Sequence, residues 1–214
     1  FPLDELKIDR SFVTAFDSGP RSASLVSAII AMGKSLNLRL VAEGVRGSLT
    51  KTCGMTDVSV RIATAADRDL LAQATLDNLN WNGSRFTMRE VEDTPQVRHY
   101  YDGWPSNQDF GLVAEGADSM AVAVVWLRYF TADDPGYGFV AASIPELSIW
   151  VDAEHRGQGV GGLLLHQVTE VARSRGVPAI SLSVEDGNPA VRLYNRHGLQ
   201  PAPNGTPGCL LMEL

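Results

Sequence analysis

The sequence predicts an α/β protein in two parts: a mixed, mostly antiparallel sheet flanked by helices over residues 55–214, preceded by a strand–helix–strand fragment within residues 1–54. Three observations predict it. Residues 58–62 and 146–151 alternate with the period of strands, and residues 110–115 and 120–129 read as two more strands joined in a hairpin. A glycine-rich turn, Arg156-Gly157-Gln158-Gly159-Val160-Gly161-Gly162, lies between a strand and a helical stripe. Composition also changes abruptly near residue 54.

That change is one of charge. Residues 1–54 hold seven basic against five acidic residues, a net of +2, and residues 55–214 hold eleven against twenty, a net of −9. Lys7, Lys34 and Lys51 all precede the seam. The seam coincides with the polar stretch Gly47 to Gly54, and Met55 after it could itself be a start. A domain boundary near residue 54 is expected.

Before the seam, residues 3–13 read as a strand and a turn. Leu25, Ala28, Ile29, Met32 and Leu36 form a helical stripe over 22–36, and residues 38–42 read as a second strand. After it, Val58 to Ile62 alternates as a strand. Thr64 with Asp67 three residues on forms a capping box that opens a helix bearing Leu70, Leu71, Ala74 and Leu79. Residues 80–105 are rich in aromatic and polar groups and give no clear element. Phe110 to Glu115 and Met120 to Tyr129 read as a hairpin around Gly116-Ala117-Asp118. Glu146 to Val151 places Leu147, Ile149 and Val151 on one face and Glu146, Ser148 and Trp150 on the other. Leu163 to Arg175 is a helix with the stripe Leu164, Val168, Val171 and Ala172, ended by Gly176-Val177-Pro178. Ala179 to Val184 is a strand, Asn188 to Arg196 a short helix, and Cys209 to Leu214 a last strand.

Several functions lose support from composition. The net charge of −7 argues against a nucleic-acid partner and favours a cationic one, such as an amine. The longest apolar run, Met120 to Leu127, is far too short to span a membrane, and no signal-like segment opens the chain. His99, His155, His166 and His197 do not cluster in sequence, so a metal site has little support. Cys53 and Cys209 lack metal-ligand spacing; two free thiols in a reducing cytoplasm are expected rather than a disulfide.

A glycine-rich turn ahead of a helix has a physical use. Glycine tolerates positive φ and close approach of a ligand, while the first helical turn offers free amides and partial positive charge. Together they can hold a pyrophosphate. A dinucleotide-binding turn is the first rival, but it belongs early in a βαβ domain, whereas this one follows an antiparallel meander.

Two resemblances extend this. "LDELKIDRSFV" and "VAEGV" resemble the later part of EAL cyclic-di-GMP phosphodiesterase domains over about 45 residues. The resemblance would put Lys7, Asp9 and Glu43 at that family's active site. The Glu-Ala-Leu signature and the paired aspartates are absent, and Arg46 replaces a usual carboxylate, so residues 1–54 are expected to be a truncated, non-catalytic βαβ fragment of an EAL-type barrel plus linker. "LSIWVDAEHRGQGVGGLLL" and "ISLSVEDGNPAVRLYNRHGL" resemble the GNAT acetyltransferases over residues 55–214. Arg156, Gly159 and Gly161 meet that family's Q/R-x-x-G-x-G/A signature.

The second resemblance implies the GNAT acyl-CoA acyltransferase fold, acetyl-CoA as co-substrate, no metal, an amine acceptor, and a homodimer as one available assembly. It assigns the amides of Gln158, Gly159, Val160, Gly161 and Gly162 to the CoA pyrophosphate, with Arg156 and Gly157 in the same turn. The edge of Ile149, Trp150 and Val151 would pair with the pantetheine arm, and Asn188 would contact it too. Tyr194 would donate a proton to the departing thiolate, and Glu146 would drain the amine's proton. Each role has a plainer rival. Tyr194 could be core, Glu146 a solvated strand residue, Arg156 a support for the turn, and Asn188 a helix N-cap ahead of Pro189. Trp81, Tyr100, Tyr101 and Trp104 either line the acceptor pocket or fill the core. Two other functions stay open: a non-catalytic acyl-CoA-binding module, and a cyclic-di-GMP-responsive protein.

Overall fold

The computed structural model describes residues 5–8, 39–42, 58–106, 108–203 and 205–214. The chain divides into two compact units, Phe1–Cys53 and Gly54–Leu214. In the first unit β1 (Glu5–Ile8) pairs in parallel with β2 (Arg39–Ala42), Glu5 opposite Arg39 and Ile8 opposite Ala42. Parallel neighbours need a long crossover. The helix expected over 22–36 lies outside the described residues, as do Asp9 and Glu43; Lys7 falls within β1.

The second unit is built on a seven-stranded sheet. Its strands are β3 (Ser59–Ile62), β4 (Phe110–Glu115), β5 (Ala121–Arg128), β6 (Glu146–Val151), β7 (Ala179–Ser183), β8 (Gln200–Pro201) and β9 (Cys209–Glu213). The spatial order is β3-β4-β5-β6-β7-β9-β8, with every neighbouring pair antiparallel except β6 and β7. The helices are α1 (Arg68–Leu79), α2 (Met88–Asp93), α3 (Pro95–Arg98), α4 (Val160–Ser174) and α5 (Val191–Arg196).

Two cores cover the two faces of the sheet. Leu112, Ala114, Ala123, Val125, Leu147 and Ile149 pack with Leu164, Leu165 and Val168 of α4. Their alternate neighbours Val113, Val124, Trp126 and Trp150 pack instead with Leu71 and Ala74 of α1, Val91 of α2 and Val97 of α3. Helices on both faces explain why β4 and β5 read as nearly continuous apolar runs. The predicted capping box closes as expected. Thr64 accepts from the Ala66 amide, and Asp67 accepts from the Thr64 amide at 2.8 Å, ahead of α1.

Residues 80–105, unassigned from sequence, form α2 and α3. Thr87 and Glu90 make a second capping box and Pro95 occupies the first turn of α3, so a legible start signal was present there. The short β8 was not anticipated; only its pairing with β9 defines it.

Candidate active site

β6 and β7 meet at a single register pair, Glu146 opposite Ser181, with the Ser181 amide donating to the Pro145 carbonyl at 3.1 Å. Beyond that point the strands part, and β6 continues to Val151 with β5 as its neighbour. The Asp152 amide donates to the Val122 carbonyl at 2.9 Å, which sets the phase of the ladder. By alternation the peptide groups of Ser148 and Trp150 face β5, and those of Ile149 and Val151 face the gap. The Val151 carbonyl is taken by Arg156 Nε at 2.9 Å, so Arg156 does tie the turn to the strand. A cavity of about 1580 Å3 fills the gap. That exceeds the ~300–1,000 Å3 of ordinary small-molecule pockets and suits a long ligand with room for a second one.

One end of the cavity is the glycine-rich turn. Gly157 and Gly159 hold φ of 74° and 87°, where a side chain would be strained. α4 begins at Val160, so Val160, Gly161 and Gly162 lie in its first turn rather than in the loop that the sequence suggested. Gly159 is an N-cap without a side chain, and the first intrahelical bond runs from the Leu163 amide to the Gly159 carbonyl. The amides of Gly159, Val160, Gly161 and Gly162 therefore have no partner within the helix. The Val160 side chain is buried in the core, and Gln158 Nε2 donates to the Glu154 carbonyl at 2.6 Å; neither residue lines the cavity, whereas Arg156, Gly157, Gly159, Gly161 and Gly162 do. Cβ atoms on Gly161 and Gly162 would come within 3.4 Å of Leu193 and His197, so these glycines also let α5 approach.

α5 supplies Tyr194. It is 8% exposed, lines the cavity, and its hydroxyl has no protein hydrogen bond among the described residues. Burial pushes its pKa up to about 12, so it stays protonated at neutral pH. Asn188 also lines the cavity. It is not the N-cap of α5, which starts at Val191 with Ala190 as cap. Instead Asn188 Oδ1 accepts from the Ala190 amide at 2.9 Å and its carbonyl accepts from Val191, which turns the chain into the helix.

Glu146 is not a solvated strand residue. It is 4% exposed and lies in the cavity wall. Burial pushes its pKa up to about 7, against the pull of the Tyr100 hydroxyl, which donates to Oε1 at 2.7 Å, and of the Gly138 amide. Oε2 has no hydrogen-bond partner among the described residues. A Cβ on Gly136 would overlap Oε2 and the Phe130 ring, so only glycine fits beside this carboxylate.

The four flagged aromatics divide. Trp81 and Tyr100 line the cavity, while Tyr101 and Trp104 fill the core beneath α1. Spacing alone left several wall residues unmarked. Asp77 accepts from Trp150 Nε1 at 2.8 Å. Glu185 accepts from Trp81 Nε1 at 2.5 Å and pairs with Arg85, and both donors hold its carboxyl below the usual range. Tyr137 donates its amide to the Tyr100 hydroxyl at 2.7 Å. Charge is sorted along the wall. Asp77, Glu146 and Glu185 stand on α1, on β6 and just past β7, while Arg156, Arg192 and Arg196 stand on the glycine-rich turn and α5.

Among the described residues no group of three or more His, Cys, Asp or Glu could hold a metal ion. Cys209 is free and buried, and burial raises its thiol pKa; Cys53 lies outside the described residues. No described helix is long and apolar enough to cross a membrane.

Comparison with known proteins gives two matches to family models. The Acetyltransferase (GNAT) family matches residues 76–199, and the EAL domain matches residues 1–48. Streptothricin acetyltransferase of Streptomyces lavendulae is 32% identical over 134 residues, covering 58% of this chain and 68% of that protein. The bifunctional diguanylate cyclase/cyclic di-GMP phosphodiesterase MucR of Pseudomonas aeruginosa is 52% identical over 44 residues, 21% of this chain but only 6% of MucR. Among solved structures, a GNAT-family acetyltransferase from Staphylococcus aureus Mu50 superposes with a TM-score of 0.55 at 13% identity, covering 73% of this chain and 99% of its own. The PaiA N-acetyltransferase of Thermoplasma acidophilum, in complex with coenzyme A, gives 0.53 at 16% identity, with 74% and 98% covered. At these identities the two structures share the fold.

Proposed function

The chain belongs to the acetyltransferase (GNAT) family of acyl-CoA N-acyltransferases, and from that premise we propose that it moves an acetyl group from acetyl-CoA to a primary amine by direct attack in a ternary complex. The observation that carries this is the parting of β6 from β7, which opens a cavity running from the uncapped N-terminus of α4 to a buried carboxylate. A coenzyme A complex is known for the PaiA protein of the same fold.

The amides of Gly159, Val160, Gly161 and Gly162 would hold the pyrophosphate, aided by the dipole of α4. The amide of Gln158 would join them, its side chain being tied to the Glu154 carbonyl at 2.6 Å. Ile149 and Val151 would pair with the pantetheine arm, and Asn188 would contact it. Strand alternation favours the Val151 amide over that of Trp150 as donor to the oxyanion that forms on attack. Glu146, with a pKa near neutrality, accepts the amine's proton. Tyr194 serves the departing thiolate. A phenol at about 12 is a weaker acid than a thiol, so its donation begins as a hydrogen bond to charge growing on sulfur. No residue need form a covalent intermediate.

Residues 1–54 are proposed to be a non-catalytic EAL-like fragment plus linker, and residues 55–214 the catalytic domain. The part that matches EAL proteins covers a small fraction of those relatives. Use of acetyl-CoA points to the cytoplasm as the compartment. Thiol release from acetyl-CoA, followed against a panel of amines, tests the proposal with the full chain, residues 55–214 and Tyr194→Phe. Turnover kept on truncation and lowered by Tyr194→Phe is expected. Clear binding of acetyl-CoA without turnover of any amine would favour a non-catalytic acyl-CoA-binding module.

A further inference from the structure

The buried carboxylate shares its place in the cavity wall with a second polar group. Glu146 Oε1 is occupied by the Tyr100 hydroxyl at 2.7 Å, and Oε2 is fully buried against Gly136. Tyr100 stands in the same cavity wall. Its oxygen donates to Glu146, accepts from the Tyr137 amide, and keeps one acceptor position. The ring is fixed by Phe130, His99 and Tyr137, with centroids at 5.0, 4.9 and 6.1 Å. A polar group held this firmly between a cavity and a carboxylate is arranged as a proton relay.

We propose that Tyr100 is the catalytic group that takes the acceptor's proton, passing its own to Glu146 Oε1 in the same step; this rests on the acetyltransferase function proposed above. The ammonium N–H bond breaks as an O–H bond forms on Tyr100, and the Tyr100 O–H bond breaks as one forms on Glu146. The nitrogen lone pair is freed for attack on the thioester. Ammonium and carboxylate charges vanish together, and tyrosine is neutral before and after. Burial and the Glu146 charge hold Tyr100 well above the usual phenol range, which forbids a free tyrosinate but does not oppose a concerted passage. The other titratable groups within reach are His99, whose ring packs on Tyr100 and whose Nδ1 meets Asp134 Oδ1 at 2.9 Å, Cys209, which feels the Glu146 charge, and Tyr137, which faces Tyr100; no cation pairs with Glu146 among the described residues.

The test is the pH profile of kcat/KM for one alkylamine that the protein accepts, measured for the wild type, Tyr100→Phe, Glu146→Gln and the double variant. Melting temperature and acetyl-CoA affinity serve as checks on folding. The relay predicts a loss of about 10²-fold at pH 7 that shrinks to about threefold as pH nears the amine's own pKa, where solution supplies the free base. It also predicts that the double variant loses no more than either single one. A purely structural role would give the same fold loss at every pH, and that result, or full activity of Tyr100→Phe at pH 7, overturns the relay. A wild type that binds acetyl-CoA and acetylates no amine overturns the relay and the proposed function together.

Discussion

At 4% exposure and with a pKa pushed up to about 7, Glu146 is costly to keep as a carboxylate. Its folded pKa lies above the unfolded value, so its contribution favours folding at low pH and is lost as pH rises through about 7. Glu146→Gln keeps an acceptor for Tyr100 and removes the charge. It should therefore stabilise the fold at pH 8, by up to about 3 kcal/mol, with the gain fading below pH ~4. Denaturant melts at both values check this; an unchanged midpoint at pH 8 would show that the carboxylate is better solvated than its burial implies. Activity should move the opposite way, with wild-type turnover falling as pH drops below about 7 and Glu146 takes up its proton. Tyr194→Phe removes a hydroxyl without a protein partner, so a loss of about tenfold or more in kcat with little change in melting temperature is expected. Glu146 and Tyr194 were legible because each sits in a recognisable phrase. Tyr100 was flagged only as an aromatic, because its partner lies 46 residues away in sequence.

The α4 N-terminus and the loops around it set the geometry of the cleft. Gly159 occupies the left-handed region, so Gly159→Ala must distort the turn at a cost of about 1–2 kcal/mol, or release it. Acetyl-CoA affinity should weaken about tenfold, as titration calorimetry would register; unchanged affinity would remove these amides from the proposed pyrophosphate site. Thr87 caps α2 through its hydroxyl and Glu90, and Thr87→Ala should cost about 1 kcal/mol in a thermal melt. The turn, the stripe of α4 and the strand of Glu146 could be read from local pattern. The start of α4 at Val160 could not, because Gly161 and Gly162 look like loop residues until α5 is packed against them.

Over the molecule, charge and folding are both unevenly distributed. The second unit carries the acidic excess, and its proposed independence predicts that residues 55–214 alone melt cooperatively and keep full activity; loss of either would make the first unit a working part. Arg61 and the Thr64 cap hold the Asp67 carboxyl below its usual range. The sign is then that of a depressed acid: its stabilisation is complete above pH ~4 and fades as pH falls further. The gap between wild type and Asp67→Asn in chemical melts should shrink from pH 7 to pH 3. The sequence by itself determined the order of strands and helices apart from α2, α3 and β8, the glycine-rich turn and the family, because periodicity, capping and glycine placement are local properties of the chain. Only the tertiary structure decided that β6 and β7 part after one pair, that Tyr100 stands between Glu146 and the cavity, and that Trp81 reaches Glu185 across 104 residues. Those contacts depend on strand register and on how helices lie across the sheet, and neither is written in any short stretch of residues.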